Sequence, residues 1–146
     1  MAKHPAWGAK MTIAATPFRF SRRSESHLVT VVPALQAVAR RALVLSRVDF
    51  TIISGRRDMA EQRRLVRQGV SRTLNSRHLT GHAIDLVPLH PDTGKGQFTR
   101  ALAIEVAVAF YEAGYQLNIA IRWGGMWAEF EDIPHIEIPD PSAKTL

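Results

Sequence analysis

The sequence predicts an α+β fold in which helices flank a central antiparallel sheet. Its predicted helices precede strands that need not run parallel to one another, which is typical of this class. The chain has 146 residues and shows neither an internal repeat nor a low-complexity linker, so a single domain is expected. With 46% hydrophobic and 22% charged residues, the composition is that of an ordinary globular protein with one core.

The first predicted helix and strand lie in the segment 33–55. A helix is expected at residues 33–46, because Pro33 suits a first turn. Its buried face comes from apolar residues at helical spacing, namely Leu35, Val38, Ala42 and Leu45. An apolar and β-branched run at residues 50–53 then predicts a buried strand, which ends at Ser54 and Gly55.

A second helix is predicted at residues 58–68 from the signals at its two ends. Asp58 and Glu61 have capping-box spacing, and Gly69 stands where a glycine commonly ends a helix. The next strand is predicted at residues 83–87, directly after a polar segment that contains histidine, serine and glycine.

The C-terminal half is predicted to hold one further helix and two short strands. Residues 99–113 form an apolar helix, which Gly114 is expected to stop. Residues 120–123 and 135–138 are short apolar stretches that would complete the sheet as strands.

Two histidines and two carboxylates form the pattern that points most directly to chemistry. His78 and Asp85 lie on either side of Gly81, and His135 follows Asp132 by three residues. Two imidazoles and one carboxylate suit a divalent cation, usually zinc, and leave its fourth position open. The chain contains no cysteine, so thiolate ligands and disulfides are excluded. Asp132 is then placed to take a proton from water, which predicts metal-assisted hydrolysis.

Strand geometry explains how these side chains could meet. Along the predicted strand, Asp85 points to one face and Ile84 points to the opposite face, toward the core. Pro134 fixes the backbone before His135 and so restricts the direction of its imidazole. Glu137 lies on the same face as His135 and could orient that ligand from behind.

The other histidines fit the metal site less well. His82 lies within the motif but points away from the metal by strand alternation. No partner pattern accompanies the remaining three, which are His4, His27 and His90. Taken singly, His78 or Asp85 would more often be a structural residue, so the prediction depends on the whole constellation.

Further motifs make the chain similar to a known family. They are Ser76-x-His78-x-x-Gly81-x-Ala83-x-Asp85, Trp123-Gly124-Gly125-x-Trp127, Asp132-x-Pro134-His135-x-Glu137, Ser54-Gly55-Arg56-Arg57, Glu61-Gln62 and Phe20-Ser21-x-Arg23-Ser24. This set resembles the zinc peptidases of the D-alanyl-D-alanine carboxypeptidase and VanY-like group. Within that group, the chain is most similar to phage endolysins that are L-alanyl-D-glutamate endopeptidases. The resemblance spans residues 18–139 and implies a small single-domain zinc peptidase.

The resemblance also implies a role for each residue of the site. His78, Asp85 and His135 would hold Zn²⁺. Asp132 would be the general base, taking a proton from water and later passing it to the departing amine. Arg57 would bind the scissile carbonyl oxygen and stabilise the charge that develops there, a task suited to a permanently charged guanidinium.

Rival assignments exist for both catalytic positions. Arg56 could replace Arg57, although the spacing in the family favours Arg57. Glu129 or Glu131 could replace Asp132, but neither lies three residues before the last histidine. Asp132 and Arg57 are therefore the predicted catalytic pair.

Three side chains are predicted to bind substrate. Gln62 and Ser76 match family positions and would either contact the substrate or brace the neighbouring loop. Trp123 would form a wall of the cleft together with Trp127, although large aromatic side chains are as often plain core. Met126 stands where relatives often carry a polar or acidic residue, which puts substrate contacts there in doubt.

The implied activity is cleavage of bacterial peptidoglycan between L-alanine and D-glutamate of the stem peptide, which lyses the host cell. An alternative within the group is a D,D-carboxypeptidase or dipeptidase that acts on D-alanyl-D-alanine. A non-catalytic wall-binding module that keeps zinc structurally is a further alternative, but it would need neither Asp132 nor Arg57.

Charge and composition bear on partners and location. The net charge of +6 favours anionic wall polymers or outer-membrane lipid, although it also fits ordinary solvated helix faces. No nucleic-acid-binding motif accompanies the charge, so nucleic acid is not an expected partner. We expect a monomer that is made in the host cytoplasm and is released to the periplasm and wall at lysis.

The ends of the domain are also predicted. Residues 1–17 would be a flexible extension, within which Met11 could be the true start, and residues 18–146 would be the catalytic domain. No separate wall-binding domain, signal peptide or membrane span is predicted.

Overall fold

In the computed structural model, which describes residues 18–142, four short strands form one antiparallel sheet. The strands are β1 (Phe50–Ser54), β2 (Ala83–Pro88), β3 (Arg122–Trp123) and β4 (His135–Glu137). Their spatial order is β1-β2-β4-β3, so β2 and β4 form the central pair. Every neighbouring pair is antiparallel, which confirms the predicted sheet. The predicted extension, residues 1–17, lies outside the described residues.

Helices flank this sheet. The described residues form α1 (Arg22–Leu28), α2 (Pro33–Leu45), α3 (Met59–Arg67) and α4 (Arg100–Leu117), with 3₁₀ helices at Arg77–Thr80 and Gly124–Met126. α2 packs against α4, α4 packs against β2, and α1 packs against β1. The fold is therefore α+β, as the sequence predicts. Within the described part of the chain, no helix is both long enough and apolar enough to cross a bilayer.

One hydrophobic core lies between the sheet and α1, α2 and α4. Its fully buried members include Leu28, Leu35, Val38, Ile52, Ile84, Val106, Phe110 and Ile136. Complete burial of one large apolar side chain contributes about 1.5–3 kcal/mol. The prediction that Ile84 faces the core while Asp85 faces away from it is consistent with this packing, because Ile84 is completely buried.

Helix α1 is an element that the sequence pattern did not indicate. The Ser21 side chain accepts a hydrogen bond from the Ser24 amide and so caps the helix. Ser24 is itself buried, and its hydroxyl accepts a hydrogen bond of 3.0 Å from the Ile52 amide in β1. Because α1 attaches through a serine and a single leucine, Leu28, it has no apolar periodicity to detect.

The predicted ends of α3 are confirmed. The Asp58 carboxylate accepts a hydrogen bond of 2.8 Å from the Glu61 amide, which is the expected N-terminal cap. Gly69 has a φ of 72°, a left-handed conformation that glycine adopts without a steric penalty. The helix nevertheless buries a single side chain, that of Gln62, so its attachment to the domain is largely polar.

The predicted end of the last helix is wrong. α4 continues past Gly114 to Leu117, and Asn118 ends it with a φ of 56°. Gly114 is instead a point of close approach, because a Cβ there would lie 2.6 Å from the carbonyl oxygen of Ile119. The following strand is also shorter than predicted: β3 holds two residues rather than the expected 120–123.

A β-bulge aligns the end of β1 with the centre of β2. Ile52 pairs with Leu86, but Ser54 pairs with Asp85, so Ile53 is the extra residue. The bulge therefore brings Ser54 beside Asp85 at the point where β1 ends.

Replacement of Gly114 by alanine should destabilise the protein, although alanine is normally the better helix residue by about 1 kcal/mol. The new methyl group would collide with the returning chain at Ile119, at a cost of about 1–3 kcal/mol. Urea unfolding measures the change. The matched control is Val108→Ala on the exposed face of α4, expected to change stability by less than about 0.5 kcal/mol. Unchanged or increased stability of Gly114→Ala would contradict this account.

Candidate metal centre

A cleft of about 730 Å³ opens at the edge of the sheet where β1 ends and β4 begins. Side chains with ionisable or polar groups line much of it, including Arg57, Arg72, Ser76, Arg77, His78, Asp85, Arg122, Asp132, His135, Glu137 and Asp140. All three predicted metal ligands and both predicted catalytic residues are among them. The cleft is therefore the candidate functional site.

The predicted ligands His78, Asp85 and His135 converge on one point. One carboxylate oxygen of Asp85 lies 3.3 Å from Nε2 of His78 and 3.4 Å from Nδ1 of His135. One ligand atom from each residue lies within 4.8 Å of the others, and among the described residues this is the cluster that could hold a metal ion. The side chains that the sequence pattern grouped are therefore brought together by the fold.

His78 is held by a short helix within the polar segment that precedes β2. It lies in the 3₁₀ helix Arg77–Thr80, whose first turn is capped by the Ser76 hydroxyl. Nδ1 of His78 donates to the carbonyl oxygen of Gly55 at 2.8 Å, and this contact directs Nε2 toward Asp85. Gly81 ends this helix with a φ of 77°, a left-handed conformation that glycine adopts without a steric penalty.

Asp85 and His135 are direct neighbours in the sheet. They are paired residues in the register of β2 and β4, so adjacent strands present them side by side. Behind His135, its Nε2 lies 3.4 Å from a carboxylate oxygen of Glu137. Glu137 is almost fully buried and accepts a hydrogen bond of 2.8 Å from Nε of Arg122. The sequence-based expectation that Glu137 lies behind the ligand His135 agrees with this contact.

Opposite charges compensate one another across this buried cluster. Burial would raise the pKa of Asp85, but the imidazoles of His135 and His78 hold it well below its usual range. Burial would lower the pKa of His135, but the carboxylates of Asp85 and Glu137 raise it to about 9. Burial likewise opposes ionisation of Glu137, yet His135 and Arg122 lower its pKa. The carboxylate at the centre is thus kept in the anionic form that attracts a cation.

An unsatisfied nitrogen shows where a cation would fit. Nε2 of His78 is buried and has no hydrogen-bond partner, although it faces Asp85. A buried polar atom without a partner normally costs free energy, and a metal ion would use its lone pair. The donor set is two imidazole nitrogens and one carboxylate oxygen, which suits a borderline-soft divalent ion. The residues present therefore fit a metal ion.

Asp132 lies on a loop before β4, beside the cluster and partly exposed in the cleft. One of its carboxylate oxygens lies 4.0 Å from Nδ1 of His135, and its side chain is 34% exposed. Its amide donates to the carbonyl oxygen of Gly124, and a Cβ on Gly124 would lie 2.3 Å from the Asp132 carbonyl oxygen. Burial, together with the negative charge of Asp85, raises the pKa of Asp132. The pKa values of the neighbouring carboxyl groups of Asp85 and Asp132 are therefore shifted in opposite directions.

Arg57 reaches the cluster from the segment after β1. Its Nη2 donates to the second carboxylate oxygen of Asp85 at 2.5 Å, and its Nε donates to the Ser54 hydroxyl at 3.2 Å. Its Nη1 donates to the side-chain oxygen of Gln62 at 3.4 Å. The bulge that places Ser54 beside Asp85 thus also places the guanidinium.

The three predicted substrate-binding residues occupy different positions. Ser76 lines the cleft, where its hydroxyl also caps the helix that carries His78. Gln62 is completely buried, and its amide nitrogen donates to the Ser71 hydroxyl at 2.9 Å and to the Thr73 carbonyl oxygen at 2.7 Å. Trp123 is buried in the core.

The rival side chains of Arg56, Glu129, Glu131 and His82 do not line the cleft. Glu131 forms an ion pair with Arg100, and neither residue lines the cleft. Arg56 is exposed, and its amide donates to the Thr30 hydroxyl. His82 hydrogen-bonds to the Thr80 hydroxyl at 2.7 Å, away from the cluster.

Two further side chains of the cleft were not singled out from the sequence. Arg72 and Phe130 approach each other from two loops, with the guanidinium carbon 4.3 Å from the ring centroid. Trp127, which was expected to wall the cleft, lines it with its ring 5.0 Å from that of His135. Arg72 and Phe130 lie in aperiodic segments that match no motif, so no signal in the sequence connected them.

Known proteins are similar to this chain in both sequence and fold. The family model for phage L-alanyl-D-glutamate peptidases matches residues 16–139. The chain is 42% identical over 114 residues to the L-alanyl-D-glutamate peptidase of Escherichia phage T5, a match covering 75% of this chain and 82% of that protein. The crystal structure of the Serratia marcescens L-Ala D-Glu endopeptidase ChiX matches with a TM-score of 0.76 and 38% identity. That match covers 88% of this chain and 96% of the Serratia chain.

Removal of either imidazole should abolish tight metal binding. His78→Ala and His135→Ala each take away a candidate ligand atom, so the purified variants should retain far less divalent metal than the parent, for which about one ion per chain is expected. Titration calorimetry and elemental analysis measure this binding. His82→Ala is the matched control, because His82 lies close to His78 in the sequence but its ring bonds to the Thr80 hydroxyl. Full metal content in both ligand variants would contradict the assignment.

Proposed function

The chain belongs to the phage L-alanyl-D-glutamate peptidase family, and from this we propose that it is a zinc-dependent endopeptidase acting on the L-alanyl-D-glutamate bond of peptidoglycan. The observation that carries the proposal is the convergence of His78, Asp85 and His135 beside Asp132 in one cleft. A metal triad with an adjacent, partly exposed carboxylate suits metal-assisted hydrolysis of a peptide bond.

Zinc is the metal that the donor set favours. Two imidazole nitrogens and one carboxylate oxygen, from His78, His135 and Asp85, would hold the ion. Three such protein ligands with no thiolate are typical of catalytic zinc sites. When bound there, zinc would supply the Lewis acidity that lowers the pKa of water and polarises the scissile carbonyl.

Asp132 is proposed as the general base. Its carboxylate is close to the cluster and still accessible, so it can accept a proton from the attacking water and then deliver it to the leaving nitrogen. Its raised pKa favours this second step, because a carboxyl that holds a proton more strongly can act as the acid. Asp85, which is held anionic, serves instead as a ligand.

Arg57 is proposed to bind the carbonyl oxygen of the scissile bond. A guanidinium has five N–H donors, and the contacts of Arg57 with Ser54, Gln62 and Asp85 use three of them. The remaining donors can stabilise the negative charge that develops on the oxygen. Since the three contacts fix the side chain, this stabilisation would need little reorganisation.

The proposed substrate contacts follow from the positions of the side chains. Ser76 is proposed to contact the stem peptide directly, because it lines the cleft. Gln62 would contribute indirectly by holding Arg57 in place. Trp123 would contribute indirectly as a buried residue of β3, the strand that leads toward the cleft wall.

We also propose a setting for the reaction. The partner would be bacterial peptidoglycan, reached after release of a monomeric enzyme from the host cytoplasm at lysis. The net charge of +6 would help the enzyme to stay near anionic wall polymers or lipid, at low ionic strength above all.

The new amino termini released from purified peptidoglycan identify the bond that is cut. Cleavage between L-alanine and D-glutamate should expose a D-glutamate amino group, detectable by dinitrophenyl labelling and hydrolysis. Release of free D-alanine would identify a D,D-carboxypeptidase instead. Absence of any new terminus in the presence of zinc would support a non-catalytic wall-binding module.

Replacement of Asp132 by asparagine should remove activity but not metal. The change keeps the shape of the side chain and deletes the proton acceptor, so kcat should fall by about 10²–10⁴-fold. Zinc content and the circular dichroism spectrum should stay as in the parent. Asp140→Asn is the matched control, since Asp140 is an exposed carboxylate that lines the same cleft. Parent-like turnover by Asp132→Asn would remove Asp132 from the mechanism.

A further inference from the structure

Four arginines line the cleft, and three of them already have acceptors in the protein. Arg57 binds Asp85, and Arg122 forms an ion pair with Glu137. Arg77 donates from Nε to the carbonyl oxygen of Ile138. These side chains therefore serve the cluster or the strand behind it.

Arg72 is different from the other three. No hydrogen bond or ion pair joins its guanidinium to any residue in the described part of the chain; its contact is with the face of the Phe130 ring, 4.3 Å from the centroid. A cation above a ring face is held by the negative face of the π system. That contact requires none of its N–H groups, which remain available to a ligand.

A single buried amide bonds both neighbours of Arg72 in the chain. The amide nitrogen of Gln62 donates to the Ser71 hydroxyl and to the Thr73 carbonyl oxygen. The oxygen of the same amide accepts a hydrogen bond from Arg57. One buried side chain thus connects the arginine proposed to bind the scissile carbonyl with the loop that carries Arg72.

The substrate class supplies an acceptor that matches this free cation. A glutamate residue has two carboxyl groups, and a peptide that continues through one of them leaves the other as a free carboxylate. In L-alanyl-D-glutamyl peptides that carboxylate lies within a few bonds of the scissile nitrogen. A guanidinium can bind a carboxylate through two parallel hydrogen bonds, which fixes both position and orientation.

We propose that Arg72 binds the free carboxylate of the D-glutamate residue and so determines specificity for an anionic residue after the scissile bond. This inference rests on the proposed endopeptidase function. Phe130 seats the guanidinium, and Gln62 holds the loop, so the site is organised before substrate arrives. The carboxylate is present in both the ground state and the transition state, so its binding lowers KM rather than raising kcat.

The test compares two synthetic L-alanyl-D-glutamyl peptides that differ in one group. In the first peptide the free carboxylate of D-glutamate is present, and in the second it is replaced by a carboxamide. The parent protein should cleave the first with a kcat/KM about 10- to 100-fold higher, the difference appearing mainly in KM. Arg72→Gln should cleave both peptides with similar kcat/KM, and Arg72→Lys should recover part of the preference.

Arg63→Gln is the matched control, because it removes one positive charge from an exposed position of α3 outside the cleft. It should keep the parental preference for the carboxylate. Retention of the full preference by Arg72→Gln, or absence of a preference in the parent, would overturn the assignment and leave the endopeptidase function standing. Failure of the parent to cleave either peptide would overturn the proposed function and the assignment with it.

Discussion

The rest of the site depends on the contacts that the carboxylate of Asp85 makes with three neighbouring side chains. One oxygen faces the two imidazoles of His78 and His135, and the other receives the guanidinium of Arg57. A largely buried carboxylate in that position would be costly without these partners. Because Asp85 lies on a central strand and is paired in register with His135, the sheet itself sets the geometry of the cluster.

The fold divides the tasks of the site between regular elements and a loop. Strands β2 and β4 and a capped 3₁₀ helix present the proposed metal ligands, whereas a loop bonded to Gly124 presents the Asp132 carboxylate. Within one cleft, Asp85 is held strongly anionic while the pKa of Asp132 is raised. Two carboxylates in different surroundings can therefore serve one reaction as ligand and as proton carrier.

The sequence predicts those parts of the structure that local chemistry controls. Apolar periodicity locates α2, the capping residue Asp58 and Gly69 locate α3, and short spacing between His78 and Asp85 reveals two of the three residues of the candidate metal cluster. Features controlled by distant residues could not be predicted. α1 is attached by the Ser24 hydroxyl and by Leu28 alone, without an apolar face, and Gly114 serves contact with Ile119 rather than helix termination. The pairing of Arg72 with Phe130 joins two loops that share no pattern in the chain.

Helix α3 has a consequence for how such an enzyme can change over evolutionary time. It buries one amide side chain and contributes no side chain to the hydrophobic core, yet it holds the loop at the rim of the cleft. Substitutions on its outer face are therefore nearly neutral for folding, as is usual for exposed positions. Provided that Gln62 is kept, the rim can diversify toward other wall chemistries while the metal cluster and the core remain unchanged.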